Sequence, residues 1–339
     1  MTTYIIIIIA VALFFDFANG FNDAANSVAT VVATRVLSPR MAVIWAAFFN
    51  FIAAFLFDTK VAATIGKGLV DPGIVDAHLI LATLLAAISW TVLCTQMGLP
   101  ISVSHALIGS LAGASIMKGG LSALMWSKIG TIAIFIILSP IIGLIIAYVL
   151  MVASLWLARN RTPFGVDRVF RFLQLLSAAA YSLSHGLNDA QKTMGIIMLL
   201  LFSTESMAHH ATGASGEPAT WIILSCHAAI ALGTYLGGWK VVQTLGHRVT
   251  KLAPIHGFCA ETGGGVTVIG LSMLGIPVST THTITGSIFG VGLTRPLSAI
   301  RWSVGIDILT AWVLTLPVSA AVAAIVYFLV SWIASLIGA

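Results

Sequence analysis

Apolar residues fill 59% of the 339-residue chain and charged residues only 8%, whereas soluble domains carry roughly 25% charge. With a mean hydropathy of +1.05, the composition excludes a water-soluble globular domain. The net charge of +5 does not signal a nucleic-acid partner, because the basic residues fall in short loops between apolar segments, where they set membrane topology.

The apolar runs suit helices that cross the hydrocarbon, each needing about 20 residues, and they lack the alternation of barrel strands. The fold class is therefore an all-α membrane protein, with every backbone polar group in lipid satisfied inside its own helix. The first run, 4–34, joins "YIIIIIAVALFF" to "GFNDAANSVAT" and carries Asn22, Asp23 and Asn26 to the depth of lipid. No Lys or Arg precedes the isoleucines, and Asp16 interrupts the apolar run beyond them, which speaks against a cleaved signal peptide. This run is too long for one straight span, so a break is expected at its polar motif. Apolar stretches come next at 41–57, 77–97, 98–117 and 129–157; the stretch 98–117 opens with Gly98 and Pro100 and reads "PISVSHALIGSLAG", carrying Ser102, Ser104 and His105. A second set lies at 172–202, 219–238, 254–275, 277–292 and 303–335. It contains "HGLNDAQKTMG" with Asn188, Asp189 and Lys192, "CAETGGGV" with Glu261, and "PVSTTHTITGSIFG" with Ser279, Thr280, Thr281 and His282.

These motifs recur in order. The two proline motifs match at six of fourteen positions with an offset of 177, and the Gly-x-Asn-Asp pair recurs at an offset of 166. Trp126 and Pro140 are answered by Trp302 and Pro317. Such self-similarity marks a duplicated chain, with a first repeat over 1–157, a basic cytoplasmic linker over 158–171 and a second repeat over 172–339. Five stretches per half is odd, so the second half enters from the opposite side: the repeats are inverted, with broken or re-entrant helices at the midplane and about 10 to 12 transmembrane segments in all. Loop charge agrees. Arg35, Arg40, Arg159, Arg161, Arg168, Arg171, Lys240, Arg248, Lys251, Arg295 and Arg301 fall on one side, the acidic or neutral loops 58–76 and 203–219 on the other. The positive side is cytoplasmic, which puts both termini outside; Lys118 and Lys128 are exceptions.

An acid inside a span costs about 2.5–3.5 kcal/mol on insertion scales and is usually paired or functional. Asp23 and Asp189 occupy corresponding positions of the two halves, which favours a shared site over two separate surface turns. The hydroxyl clusters come after prolines, as at helix starts, where free N–H groups and the helix dipole favour an anion; Ser and Thr capping ordinary helices is the competing reading. Carboxylates and amide oxygens suit a small hard cation. Glu261 is a coupling-ion ligand, a proton site or a structural acceptor. Lys192, one turn beyond Asp189, neutralises it or meets an anion directly. His105 and His282 lack the companions of a zinc site and are expected to hydrogen-bond structurally. Gly109, Gly113, Gly286 and Gly290 form two Gly-x-x-x-Gly pairs that let helices approach closely. Cys94, Cys226 and Cys259 show no metal spacing and are expected as free buried thiols.

"GFNDAANSVAT", "GLPISVSHALIGSLAG", "HGLNDAQKTMGI", "AETGGGVTVIGLSMLGIPVSTTHTITGSIFGVG" and "RWSVGIDILTAWVLTLP" together resemble the PiT family of inorganic phosphate transporters, from about residue 12 to 330. The resemblance implies a non-enzymatic symporter in the cytoplasmic membrane that takes up inorganic phosphate with Na⁺ or H⁺ as coupling ion. It implies inverted repeats, a homodimer and no cofactor. The family's two Gly-x-Asn-Asp signatures fall on Asn22, Asp23, Asn188 and Asp189, and its Pro-x-Ser-x-x-His signatures on Ser102 to His105 and Ser279 to His282; by the donor chemistry of the residues, phosphate is expected at Asn22, Ser102, Ser104, Asn188, Ser279, Thr280 and Thr281. The coupling cation is expected at Asp23, Asn26, Asp189 and Glu261, with Na⁺ at Asp23 and Asp189, supported by His105, His282 and Lys192. Val103 stands where the family usually shows a further hydroxyl, which removes one anion donor. The alternatives are a sulfate permease of the same fold, a passive channel and, remotely, a membrane-embedded hydrolase using Ser215 of "GASG" at 213–216.

Overall fold

The computed structural model describes residues 2–66, 68–213 and 216–336; Ser215 lies outside the described residues. Twelve helices are described: α1 (Thr2–Ala33), α2 (Pro39–Ile52), α3 (Lys60–Gly66), α4 (Ala77–Met97), α5 (Val103–Gly119), α6 (Trp126–Ala158), α7 (Pro163–Phe202), α8 (Thr220–Leu236), α9 (Trp239–Gln243), α10 (Pro254–Met273), α11 (Thr280–Gly292) and α12 (Trp302–Leu336). Among the described residues α1, α4, α6 and α12 are each long and apolar enough to cross a membrane. Two bent pairs, α2 with α3 at 78° and α8 with the α9 segment at 64°, bring the number to six if each pair is one span.

Burial separates two kinds of helix. Every residue from Asn22 to Val31 of α1 and from Ser184 to Leu201 of α7 is buried, so both Asn-Asp motifs lie in stretches enclosed on all sides. By contrast, α6 and α12 expose Ile137, Ile141, Val313 and Ile325, apolar faces suited to lipid. Hydrophobic burial drives helix association little in lipid, so close packing and hydrogen bonds hold the bundle. The helix after each proline motif crosses to the other half: α5 packs on α12 and α11 on α6. The Gly-x-x-x-Gly pairs make these contacts, with Gly109 against Leu316 and Ser319, Gly113 against Ala320, Gly286 against Pro140 and Gly290 against Leu144. α1 likewise packs on α8 of the other half as well as on α4 of its own, and α7 on α2 of the other half as well as on α10 of its own.

The helix breaks do not fall where the length of the first run suggested. α1 runs unbroken for 32 residues through Asn22 and Asp23, and α7 for 40 residues through Asn188 and Asp189. The reason is local: the polar side chains find partners on neighbouring helices, so the backbone need not unwind to meet them. The breaks come instead at the second motif. Gly98, at φ 72°, ends α4 in the left-handed conformation open to glycine, Pro100 comes next, and Ser102 caps α5 by accepting from the N–H of His105 at 3.2 Å. Gly275, at φ 74°, Pro277 and Ser279 repeat the construction before α11, with Ser279 Oγ accepting from the N–H of His282 at 3.2 Å.

Elsewhere, the expected linker 158–171 is partly helix, because Thr162 caps α7 and Pro163 opens it, and the acidic loop 58–76 contains α3. The basic loops meet one another: Arg171 donates to the Arg35 carbonyl at 3.0 Å and Arg295 to that of Lys251 at 2.7 Å. The exceptions are engaged, Lys118 in an ion pair with Asp76 and Lys128 on the Gly68 carbonyl. All three cysteines are free and buried.

Candidate functional site

Asp16, Asn19, Asp23, Asn26 and Thr30 recur every three or four residues, so they line one face of α1. That face meets α7 in antiparallel register: Thr34 of the loop after α1 donates to Gln174 at 2.9 Å, Asp23 lies opposite His185, and Asp16 lies beside Thr193. A buried polar seam results, with the two Asn-Asp motifs near its middle.

At the centre, His185 Nε2 is 3.1 Å from Asp189 and 3.9 Å from Asp23. One atom from each of Asp23, His185 and Asp189 lies within 4.8 Å of the others, and all three residues are buried. Two carboxylates that close repel by about 3–4 kcal/mol at an effective dielectric constant of 20. Lys192 answers Asp189 alone, in an ion pair completed by Ser104 Oγ at 2.5 Å and the Val278 carbonyl at 2.7 Å. The remaining negative charge falls to His185 or to a mobile cation. Asn50 donates to Thr234 at 2.9 Å and so presents its Oδ1 to His185 Nδ1 at 3.1 Å. This puts the proton on Nδ1 in the neutral ring and turns the Nε2 lone pair toward the carboxylates. The three groups can thus hold a small cation.

The first turn of α11 closes one side. Thr281 donates to Asp23 at 3.0 Å and Thr280 to Asp189 at 2.8 Å, while Asn26 donates to both hydroxyls at 3.0 and 3.3 Å. Tyr181 fixes this turn through the Thr280 carbonyl at 2.9 Å. Asn188 donates to Asp189 at 2.8 Å and to the Val278 carbonyl at 2.7 Å, tying α7 to the break before α11. The first turn of α5 enters from the other half through Ser104 and Lys192. The rings of His105 and His282 meet edge to face at 4.4 Å, and His282 stacks on Trp312 at 3.6 Å. Two helix N-termini thereby face each other beside the paired carboxylates, and their positive ends favour an anion.

The structure therefore gathers Asp23, Asn26, Ser104, Asn188, Asp189, Lys192, Thr280 and Thr281 into one cluster. Ser102 and Ser279 spend an acceptor position on caps. Asn22 turns to α4, donating to Thr95 at 2.6 Å, and leaves its Oδ1 without a hydrogen-bond partner. Glu261 stands apart, about two turns along α1, where it accepts from Thr30 at 2.5 Å, from Gln174 at 3.0 Å and from Ser177. His105 and His282 lie behind the caps in ring contact with each other; His105 Nδ1 and both ring nitrogens of His282 have no hydrogen-bond partner, so ring packing rather than the expected hydrogen bonding holds them. His185 is the site residue the repeats did not flag: its counterpart at offset 166 is Asn19. Its position one turn before Asp189 was the available signal.

The description "Phosphate transporter family" fits residues 19–323. A protein of Rhizobium meliloti (strain 1021) named "Probable low-affinity inorganic phosphate transporter" is 53% identical over 95% of each chain. A Bacillus subtilis (strain 168) protein of the same name is 41% identical over 97% of each. A solved structure described as "The sodium-dependent phosphate transporter" superposes with a TM-score of 0.86 at 26% identity, covering 98% of this chain and 100% of that one. The motifs, the all-helical architecture and these likenesses agree: the chain belongs to the phosphate transporter family, whose work is transport rather than catalysis.

Proposed function

We propose that the protein is a secondary active symporter that takes up inorganic phosphate with a coupling cation, Na⁺ or H⁺, across the cytoplasmic membrane. The observation that carries this reading is the capped N-terminus of α11 set on Asp23 and Asp189, with the capped N-terminus of α5 reaching Asp189 through Ser104 and Lys192. Ser104, Thr280 and Thr281 offer O–H donors to the phosphate oxygens, and Lys192, whose three N–H groups are engaged by Asp189, Ser104 and the Val278 carbonyl, supplies positive charge beside them. Asn22, Ser102 and Ser279 complete the anion's surroundings through an amide N–H and cap hydroxyls, while Asn188, whose two N–H groups go to Asp189 and the Val278 carbonyl, positions the break before α11. Asp23, His185 and Asp189 take the cation, with the Asn26 oxygen, itself without a hydrogen-bond partner, as a further ligand.

The geometry supplies a coupling rule. Thr280 and Thr281 each have one hydroxyl proton, now given to a carboxylate. A cation on those carboxylates replaces these donors and frees both hydroxyls to turn toward the anion. The cation also offsets the charge that would make a dianion costly in low dielectric. The ions thus enter the site together.

The two halves act as inverted repeats, read over 1–157 and 172–339, with both termini extracytoplasmic. The reciprocal packing of α5 on α12 and α6 on α11, and the antiparallel α1–α7 seam, support that arrangement. Alternating access comes from movement of one set of helices against the other. Glu261 serves as a further coupling-ion ligand at the cytoplasmic end of the seam, and the family resemblance extends the reading to a homodimer.

The test is accumulation of labelled phosphate in proteoliposomes under imposed Na⁺ or H⁺ gradients. Uphill uptake driven by one gradient, insensitive to a large excess of sulfate, supports the reading. Strong sulfate competition favours the sulfate permease, and uptake that only equilibrates, without counterflow, favours a channel.

A further inference from the structure

α6 and α12 leave a groove of about 690 Å³ between them, with α11 as its floor. That is the size of a ligand site, about 300–1,000 Å³. Its rims are apolar and open outward: Ile137 and Ile141 of α6 and Ile306, Leu309 and Val313 of α12 line it and are exposed. Both helices are long and apolar enough to span the membrane, so the groove opens on hydrocarbon. Along α12 it runs from Trp302 to Leu316, about 21 Å, against about 15 Å for half the hydrocarbon thickness. Well-packed structures leave few voids larger than a water molecule. An extended hydrocarbon chain is the occupant that fits this shape and these surroundings.

One end of the groove is basic. Leu293 and Trp302 close it, and the chain between them carries Arg295 and Arg301. Arg295 donates to the Lys251 carbonyl at 2.7 Å and the Arg301 backbone N–H to the Val249 carbonyl at 3.0 Å, which brings Arg248 and Lys251 to the same end. Among the described residues none of these four basic side chains forms an ion pair. Between Glu217 and Asp307 the only acid is Glu261, which is buried, so the charge at this end is unmatched. Trp302, exposed and donating through Nε1 to the Leu297 carbonyl, is the aromatic residue expected at headgroup level. The far end is buried and uncharged, at Thr285 of α11. The occupant therefore has an anionic head and an apolar tail. A second copy of this chain fits less well, since a two-fold interface sets a patch against itself and would bring the unmatched cations together.

We propose that the groove holds an anionic phospholipid, one acyl chain lying between α6 and α12 and the phosphate diester resting among Lys251, Arg295 and Arg301. The tail reaches the starts of the two interrupted helices. Trp312 lines the groove, stacks on His282 at 3.6 Å and donates to the Pro100 carbonyl at 3.0 Å, so it touches both the first turn of α11 and the break before α5. A chain packed against Trp312 braces both, and phosphate uptake is faster in membranes that contain the anionic lipid. That effect on uptake rests on the transport reading above; the lipid site itself does not.

Phosphatidylglycerol with a photoactivatable group at mid-chain, used as a minor component of phosphatidylcholine vesicles holding the full-length protein, tests the site. Labelled peptides should concentrate on α6, α11 and α12, and unlabelled phosphatidylglycerol should compete where excess phosphatidylcholine and inorganic phosphate do not. Leu309→Trp, which fills the groove from its exposed rim, should cut this label at least about 10-fold while leaving incidental label at exposed Phe48 of α2 unchanged. Lys251→Gln with Arg301→Gln keeps the backbone hydrogen bonds and should weaken phosphatidylglycerol about 25-fold, about 5-fold for each basic group near an anionic headgroup. Label spread evenly over the lipid-facing helices overturns the proposal, as does label unchanged by both variants. Equal competition by phosphatidylcholine, displacement by inorganic phosphate, or cross-links between the grooves of two copies in place of lipid would overturn it too. Specific labelling without any phosphate accumulation leaves the site standing and refutes the transport reading. Accumulation without specific labelling refutes this site alone.

Discussion

Thr281, in the first turn of α11, donates a hydrogen bond to Asp23 at 3.0 Å across 258 positions of sequence. Thr280, its neighbour, donates to Asp189 at 2.8 Å. A single turn of one half thus holds the acid of each half. A hydrogen bond to a charged group is worth about 1.5–3 kcal/mol. Thr281→Val keeps the shape and removes the donor, so the phosphate concentration for half-maximal uptake should rise about 10- to 100-fold. Titration of uptake in vesicles reads this directly.

Lys192 is 2% exposed and its ammonium reaches Asp189, Ser104 Oγ and the Val278 carbonyl. Removing one partner of a buried ion pair costs about 3–5 kcal/mol, because the other charge is left uncompensated. Lys192→Met should lower the melting temperature in detergent markedly. The double substitution Lys192→Met with Asp189→Asn should recover much of that loss while remaining inactive in transport.

Gly113 and Gly270 give opposite expectations for the same change. A Cβ on Gly113 would strike the backbone of Ala320, where α5 meets α12, whereas one on Gly270 of α10 meets nothing within 4 Å. Gly113→Ala should reduce folded yield sharply. Gly270→Ala should be neutral or stabilise by up to about 1 kcal/mol, since glycine is a poor residue inside a helix. Size-exclusion profiles and thermal melts of the two variants separate these outcomes.

Ser102 and Ser279 cap the two interrupted helices with the same geometry, each accepting at 3.2 Å from the residue three positions on. Loss of a cap costs about 1 kcal/mol. Ser102→Ala and Ser279→Ala should therefore each cost a similar, modest amount of stability, and should weaken phosphate binding by loosening the helix starts. Isothermal titration with phosphate on both variants checks this; a loss at only one of them would show that the two helix starts contribute unequally.

Much of this was legible in the sequence because the legible part is repeated. Identical Pro, Ser, His and Gly residues at one offset, and Gly-x-Asn-Asp at another, pointed to the elements that meet, and the breaks at Gly98–Pro100 and Gly275–Pro277 come from residues that cannot continue a helix. The hidden part depends on partners remote in sequence. Nothing in α1 announces that Asn22 finds Thr95, the contact that lets the helix run on. His185 escaped notice because its counterpart is Asn19, so the duplication pointed away from it. The surroundings of Glu261 are contributed by Thr30, Gln174 and Ser177 from two other helices, a convergence that no single stretch encodes.

The most direct measurement is gradient-driven phosphate accumulation by Asp23→Asn and Asp189→Asn, each reconstituted at matched protein density. If these acids, 166 positions apart, serve one pocket, either change alone should reduce accumulation at least about 100-fold, as loss of a buried charge in a shared site would. Wild-type accumulation by either variant would contradict the account.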